Sequence, residues 1–172
     1  MIISRHFCMP SSKTFKIKPI RDILNTYVNR DLLWIDPFAN NNKIASITND
    51  LDPQYQTDFT MNALDFLKQF KDKSVFGILF DPPYSPRQVS ECYKSLGMTV
   101  NKQTTQGSFW SSLKKEISRI VMDDGYCISF SWNSGGIGKK YGFEIQEIKL
   151  IAHGGNHNDT IVVVDKKMRN FN

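Results

Sequence analysis

The sequence predicts an α/β protein built on an open, mostly parallel sheet, and three observations carry that expectation. Short apolar runs of strand length alternate with stretches of helical apolar spacing along most of the chain. The last two apolar runs, 144–152 and 160–165, have only the tight connection 153–159 between them, so they pair antiparallel as a closing hairpin. One buried run, 75–80, leads straight into Asp81-Pro82-Pro83-Tyr84. A stiff polar segment at the C-terminal end of a buried strand marks the edge where open α/β sheets bind ligands.

Residues 19–29 read as a helix with Ile20, Ile23, Leu24, Tyr27 and Val28 on one face. Pro19 takes its first position, where a missing N–H does no harm. An apolar strand follows at 32–35, ended by Asp36-Pro37, and a second at 44–48, with 49–53 as the loop leaving it. Residues 61–70 are helical, with Ala63, Phe66, Leu67 and Phe70 on one face. After the strand 75–80 come a short helix at 88–96, an open polar loop at 97–108 and an amphipathic helix at 109–121. Asp123-Asp124-Gly125 turns that helix into the strand 126–132. One connection breaks the pattern. Only about five residues separate Phe38 from Ile44, where a parallel crossover takes a dozen or more. The first crossover helix is therefore missing or very short, and something compact replaces it.

At 172 residues the chain suits one domain with a proper core. Hydrophobic residues at 40% and charged residues at 23% place it with globular rather than disordered chains. Lys plus Arg at 22 against Asp plus Glu at 17 leaves a charge of +5, which suits a polyanionic partner without establishing one. Cys8, Cys92 and Cys127 lie far apart and form no C-x-x-C pair, which argues against a disulfide framework and, with three histidines, against a metal site. Such cysteine usage fits a reduced, cytoplasmic location. No apolar run approaches the roughly 20 residues of a membrane span, and the N-terminus lacks a signal-peptide pattern.

Asp81-Pro82-Pro83-Tyr84 is where chemistry concentrates. An acidic acceptor, backbone carbonyls held rigid by two prolines and an aromatic ring suit a planar amine that donates both hydrogens while its ring stacks. Its bland counterpart is a strand-ending turn with a core tyrosine. The four residues resemble the catalytic motif of the S-adenosylmethionine-dependent amino-methyltransferases, chiefly the DNA adenine-N6 enzymes, and the rest of the chain follows that family's order. Lys18-Pro19 opening a helix, then Trp34-Ile35-Asp36-Pro37-Phe38-Ala39, resemble the segment around the cofactor's methionine part. Asp50, or less favourably Asp52, stands where the family places a carboxylate on the ribose hydroxyls. Asn62-Ala63-Leu64-Asp65-Phe66-Leu67 resembles the segment that reads the cofactor's adenine, with Asn62 where Asp is common; its oxygen would accept from the adenine amine. The closing hairpin around His153-Gly154-Gly155-Asn156-His157-Asn158-Asp159 resembles the family's last two strands. Within the superfamily the chain looks most like the small stand-alone methylases of phages and prophages.

The resemblance implies a Rossmann-like methyltransferase fold over 1–172 as one catalytic domain without a separate target-recognition domain. It implies S-adenosylmethionine as cofactor, no metal, and DNA as partner with its adenine flipped from the duplex. The protein would be a monomer or homodimer. Two departures stand out: Asn40-Asn41-Asn42 replaces the family's glycine-rich turn, though Asn tolerates left-handed backbone angles, and the helix after it is absent. Arg87, Lys102, Lys139 and Lys140 are candidates for phosphate contacts, which give affinity without sequence information, so a short or relaxed target site is expected. Lys114-Lys115 reads as a solvated helix face, His153 and His157 as turn residues, and Cys92, Cys127, Trp110 and Trp132 as lying in or near the core. Two other functions fit the same residues: an RNA base methyltransferase such as the ribosomal guanine-N2 enzymes, and a catalytically degenerate homologue that only binds nucleic acid.

Overall fold

The computed structural model describes residues 1–9, 11, 13–83, 85–97, 107–155 and 158–169. Eight strands form one sheet: β1 (Ile2–Phe7), β2 (Trp34–Asp36), β3 (Ile47–Asp50), β4 (Phe59–Thr60), β5 (Val75–Phe80), β6 (Val121–Ser131), β7 (Phe143–Ala152) and β8 (Thr160–Lys167). Among the described residues four α-helices accompany it: α1 (Lys18–Tyr27), α2 (Ala63–Lys68), α3 (Pro86–Ser95) and α4 (Gly107–Ile120). The spatial order is β1-β7-β8-β6-β5-β2-β3-β4. β8 runs antiparallel to β6 and β7, and the other described pairs are parallel. The mostly parallel sheet closed by an antiparallel hairpin is thus as expected.

Two cores flank the sheet, as the alternation of side chains along each strand requires. On one face Phe66, Leu67, Val89, Tyr93, Leu113, Ile117 and Ile120, from α2, α3 and α4, pack on Ile35, Ile78 and Phe80. On the other, Ile20, Ile23 and Leu24 of α1 cover Trp34, Leu79, Ile128 and Phe130. α1 carries Pro in its first turn, as its sequence foretells.

The first crossover holds no helix: residues 37–46, all described, form a polar turn. Asn supplies what glycine would elsewhere. Asn40 adopts φ 48°. The Asn42 side chain accepts from Ile44 N at 3.1 Å and donates to Asp36 Oδ2 at 3.3 Å, while Ala39 N reaches Asn49 O at 2.9 Å. This turn shifts the second strand to Ile47–Asp50 rather than 44–48, because Ile44 and Ala45 belong to the turn.

Three further differences have local causes. β1 went unread because it lies at the sheet edge with Ile2, Ile3 and Phe7 exposed, so it carries no burial pattern. β4 is only two residues long. The turn expected at 123–125 sits inside β6, where Asp124 takes φ 63° and the register against β5 slips from Val75↔Val121 to Gly77↔Tyr126. Among the described residues no helix is long and apolar enough to cross a membrane, and no cluster of three His, Cys, Asp or Glu side chains could hold a metal ion.

Candidate active site

Parallel strands deliver their C-terminal ends to one edge, and here β2, β3 and β5 deliver acids. Asp36 ends β2, Asp50 ends β3, and Asp81 follows β5 directly. Beside them lies a cavity of about 460 Å³, lined by Pro37, Phe38, Asp50, Asn62, Ala63, Asp81, Pro82 and Pro83, eight of the residues singled out from sequence. Asp52, the alternative to Asp50, also lines it, with Glu91, Val89, Cys92, Tyr93 and Phe109 from α3 and α4. Four carboxylates therefore face this space, and its described lining includes neither Lys nor Arg.

Asp50 is held in place by its own backbone surroundings: Oδ2 accepts from Asn40 N at 2.8 Å and Oδ1 from Asp52 N at 3.0 Å. Burial raises its pKa above the usual carboxylate value despite those bonds. Asn62 is the N-cap of α2; Oδ1 accepts from Leu64 N at 2.9 Å and Nδ2 donates to the Tyr93 hydroxyl. The oxygen expected to read an adenine amine is thus already engaged in capping, with one lone pair left over.

Asp36 does not line the cavity. It is fully buried and braces the crossover turn, accepting from Phe38 N at 3.0 Å and from Asn42. Burial pushes its pKa up to about 8; the Phe38 bond opposes this, while the negative charges of Asp81 and Asp50 add to it. Lys18 and Pro19 open α1 on the opposite face of the sheet and do not line the cavity either. From the Asn turn, Asn40 joins Pro37 and Phe38 in lining the cavity.

Tyr84 and Lys102 lie outside the described residues. Arg87 is exposed on α3 and paired with Glu91 at 2.7 Å. Lys139 and Lys140 are exposed in a 3-10 turn, with Lys140 4.8 Å from the Tyr141 ring centroid. His153 is buried, its ring nitrogens bonded to Cys8 O at 2.9 Å and Thr160 Oγ1 at 3.0 Å, so it ties the connection after β7 to the end of β1. His157 is not among the described residues. Cys127 is buried as expected, whereas Cys92 is exposed.

Two expectations fail together. Trp132, read as lying in or near the core, is 43% exposed, and Lys114, read as solvated, joins it in lining a second cavity of about 290 Å³ that shares Pro82 with the first; Trp110 packs against the core as expected and lines this cavity as well. α4 emerges where its N-terminal turn faces the strand ends, a placement that helical periodicity alone does not disclose. Asn49 was missed altogether. It is fully buried in β3, donating to Pro37 O at 3.1 Å and Met61 O at 3.0 Å and accepting from Met61 N at 3.2 Å. It staples the two loops that carry Phe38 and Asn62; a polar residue inside a short strand was its one visible signal.

No protein-family model matches the chain, and no curated protein matches it in sequence. Solved structures do match. TrmN from Thermus thermophilus aligns over 88% of this chain at 15% identity and TM-score 0.58. A 1,6-didemethyltoxoflavin-N1-methyltransferase from Burkholderia thailandensis, crystallised with its substrate and S-adenosylhomocysteine, aligns over 88% of this chain and 77% of its own at 10% identity and TM-score 0.60. A SAM-dependent methyltransferase from Methanosarcina mazei aligns over 85% of this chain and 97% of its own at 13% identity and TM-score 0.51. The chain spans about half the length of TrmN and of SMU.776, at 49% and 48%. At these identities the likeness is one of architecture: the chain has the Rossmann-like fold that these methyltransferases share.

Proposed function

We propose that this protein is an S-adenosylmethionine-dependent methyltransferase acting on the N6 amine of adenine in DNA. The observation that carries this reading is the acid-lined cavity. In a chain of net charge +5, the pocket at the strand edge gathers Asp50, Asp52, Asp81 and Glu91 with no basic residue among its described lining. Such a site favours a ligand with fixed positive charge, and S-adenosylmethionine carries a sulfonium and an ammonium. The volume of about 460 Å³ lies within the ~300–1,000 Å³ range of small-molecule pockets. Pro37, Phe38, Ala63 and Phe109 supply the apolar walls that a ribosyl-adenine needs.

The chain's own residues divide the work. Asp50 offers the lone pairs left after its two backbone bonds to the ribose hydroxyls, and its rigid setting makes those acceptors preorganised. Asp81 and the Pro82 carbonyl accept the two hydrogens of the target amine, favouring a pyramidal nitrogen whose lone pair is no longer delocalised into the ring. Held in the cavity, S-adenosylmethionine would supply the methyl group, its sulfur keeping the S–C electron pair while the amine lone pair makes the N–C bond. Asp81 need not be a formal base, because the methylated nitrogen sheds its proton to water readily. Positioning then supplies most of the acceleration, up to about 7–11 kcal/mol in favourable cases.

The test is mass spectrometry of nucleosides after the protein meets labelled cofactor with unmethylated DNA, and separately with ribosomal RNA. N6-methyl-deoxyadenosine from the DNA is the expected product, and methylguanosine from the RNA alone would replace DNA with RNA as substrate. Asp81→Ala should abolish transfer while cofactor affinity stays within a few-fold; undiminished turnover in that variant would sink the assignment.

A further inference from the structure

The second cavity is the strongest feature outside the cofactor pocket. It lies on the other side of Pro82 and is lined by Phe80, Trp110, Lys114, Ser131, Trp132 and Asn133, among others. The partition between the two spaces is thin and specific. Pro82 lines both, and on the helix side neighbouring residues divide between them: Phe109 faces the first cavity and Trp110 the second, their rings meeting edge-on with centroids 5.3 Å apart. Trp132 is 43% exposed, an unusual exposure for so large an apolar ring. Among its described lining residues the cavity has one charged group, the Lys114 ammonium, which donates to Gly136 O and keeps further protons for another acceptor.

The chemistry of these walls is selective. Two indole surfaces suit a flat ring, because stacking needs a π-face and little else. Lys114 can only donate, so the ring should carry an acceptor atom. The Pro82 carbonyl can only accept, so the edge facing the partition should carry a donor. A ring nitrogen acceptor beside an exocyclic amine meets both demands with the amine at the ring's rim, as in adenine and cytosine; thymine can offer only its ring N3–H, set between two carbonyls, and has no amine to present.

We propose that the cavity lined by Trp110, Trp132 and Lys114 is the acceptor pocket, which takes an amino-bearing nucleobase between aromatic walls and presents its exocyclic amine to Pro82. This inference rests on the methyltransferase reading for what lies across the partition, but the pocket is defined by its own residues. Neither tryptophan belongs to the segments that resemble the amino-methyltransferase motifs, so their role here rests on the cavity alone.

Binding can be measured without turnover. Deoxyadenosine monophosphate and thymidine monophosphate are titrated into the full chain while tryptophan fluorescence is followed, with and without S-adenosylhomocysteine. Deoxyadenosine monophosphate should quench strongly and thymidine monophosphate weakly. Trp132→Ala, at an exposed position tolerant of change, should raise the dissociation constant for deoxyadenosine monophosphate about tenfold. Lys114→Met should weaken it by a similar factor. Calorimetry should find S-adenosylhomocysteine affinity unchanged in both, which also shows that the variants fold. Trp110→Leu serves as a second wall variant. If nucleotide affinity is the same in wild type, Trp132→Ala and Trp110→Leu, the pocket assignment is overturned even if the enzyme methylates DNA. If nucleotide binding behaves as described but S-adenosylhomocysteine does not bind, the pocket stands and the methyltransferase reading fails.

Discussion

Asp50 and Asp36 are the same residue type at the ends of neighbouring strands, yet the structure gives them different work. Asp50 faces the cavity with oxygens already oriented by Asn40 N and Asp52 N. Its replacement by Ala should raise the cofactor dissociation constant roughly tenfold or more, at ~1.4 kcal/mol per decade, read by calorimetry. A large effect from Asp52→Ala with none from Asp50→Ala would reverse the assignment of the ribose acceptor. Asp36 instead acts on stability. Its folded pKa is raised to about 8, above the unfolded value near 3.8, so between those limits the folded state holds a proton that the unfolded state releases. Stability from this group therefore falls as pH rises from about 4 to 8, by at most ~1.4 kcal/mol per pH unit. Asp36→Asn keeps an acceptor for Phe38 N and cannot ionise. Urea midpoints measured from pH 4 to 8 should show the variant gaining on the wild type as pH rises; a constant gap would mean that Asp36 is ionised throughout.

At the scale of elements, the site depends on how two loops are tied to one strand. The crossover turn after β2 and the loop before α2 are both fastened to β3 by Asn49, which meets two carbonyls and an N–H with one amide group. Asn49→Ala takes the Asn49 amide from the buried Pro37 carbonyl and from the half-buried Met61 backbone, and should lower stability by about 2 kcal/mol. Asn49→Asp should be worse, because a carboxylate would face two carbonyl oxygens. Both should weaken cofactor binding along with stability, since Phe38 and Asn62 ride on the loops that move. Chemical denaturation and calorimetry on the same samples check the pair of effects, and normal stability with normal binding would show that the staple is dispensable. β3 could not be placed accurately from sequence for the same reason. Its residues Thr48, Asn49 and Asp50 are polar because they hold loops, and polarity erases the periodicity by which strands are recognised.

For the whole molecule, charge is segregated. The cavity is acidic while the chain as a whole carries +5, so the positive excess lies on other surfaces, including the exposed Lys139 and Lys140 beyond β6. If these two lysines contact phosphates of duplex DNA, Lys139→Ala with Lys140→Ala should make the plot of log affinity against log salt shallower by about 1.8, at about 0.9 per phosphate. Filter binding across a salt series reads this directly, and an unchanged slope would return the lysines to bulk solvent. Arg87 is the weaker candidate, since it already pairs with Glu91 in α3.

Much of this architecture is local and therefore legible along the chain. Strand, turn and helix alternate with the apolar period, the closing hairpin follows from the short 153–159 connection, and the missing crossover helix follows from chain length between Phe38 and Ile44. Asp81-Pro82-Pro83 announces the site because a stiff acidic segment after a buried strand needs no partner elsewhere to be recognised. Other features depend on which surfaces meet, and spacing is silent on that. The same apolar stripe packs Trp110 against the core whether or not a cavity opens beside it, and only the docking of α4 near Pro82 gives the ring that second surface. Lys18 satisfies its motif in sequence yet sits at the start of a helix on the far face of the sheet. Asp36 and Asp50 look alike in one dimension; burial behind the Asn turn separates a fully enclosed carboxyl from a cavity-facing one. Order along the chain is settled by local chemistry, while exposure and neighbourhood are settled by packing.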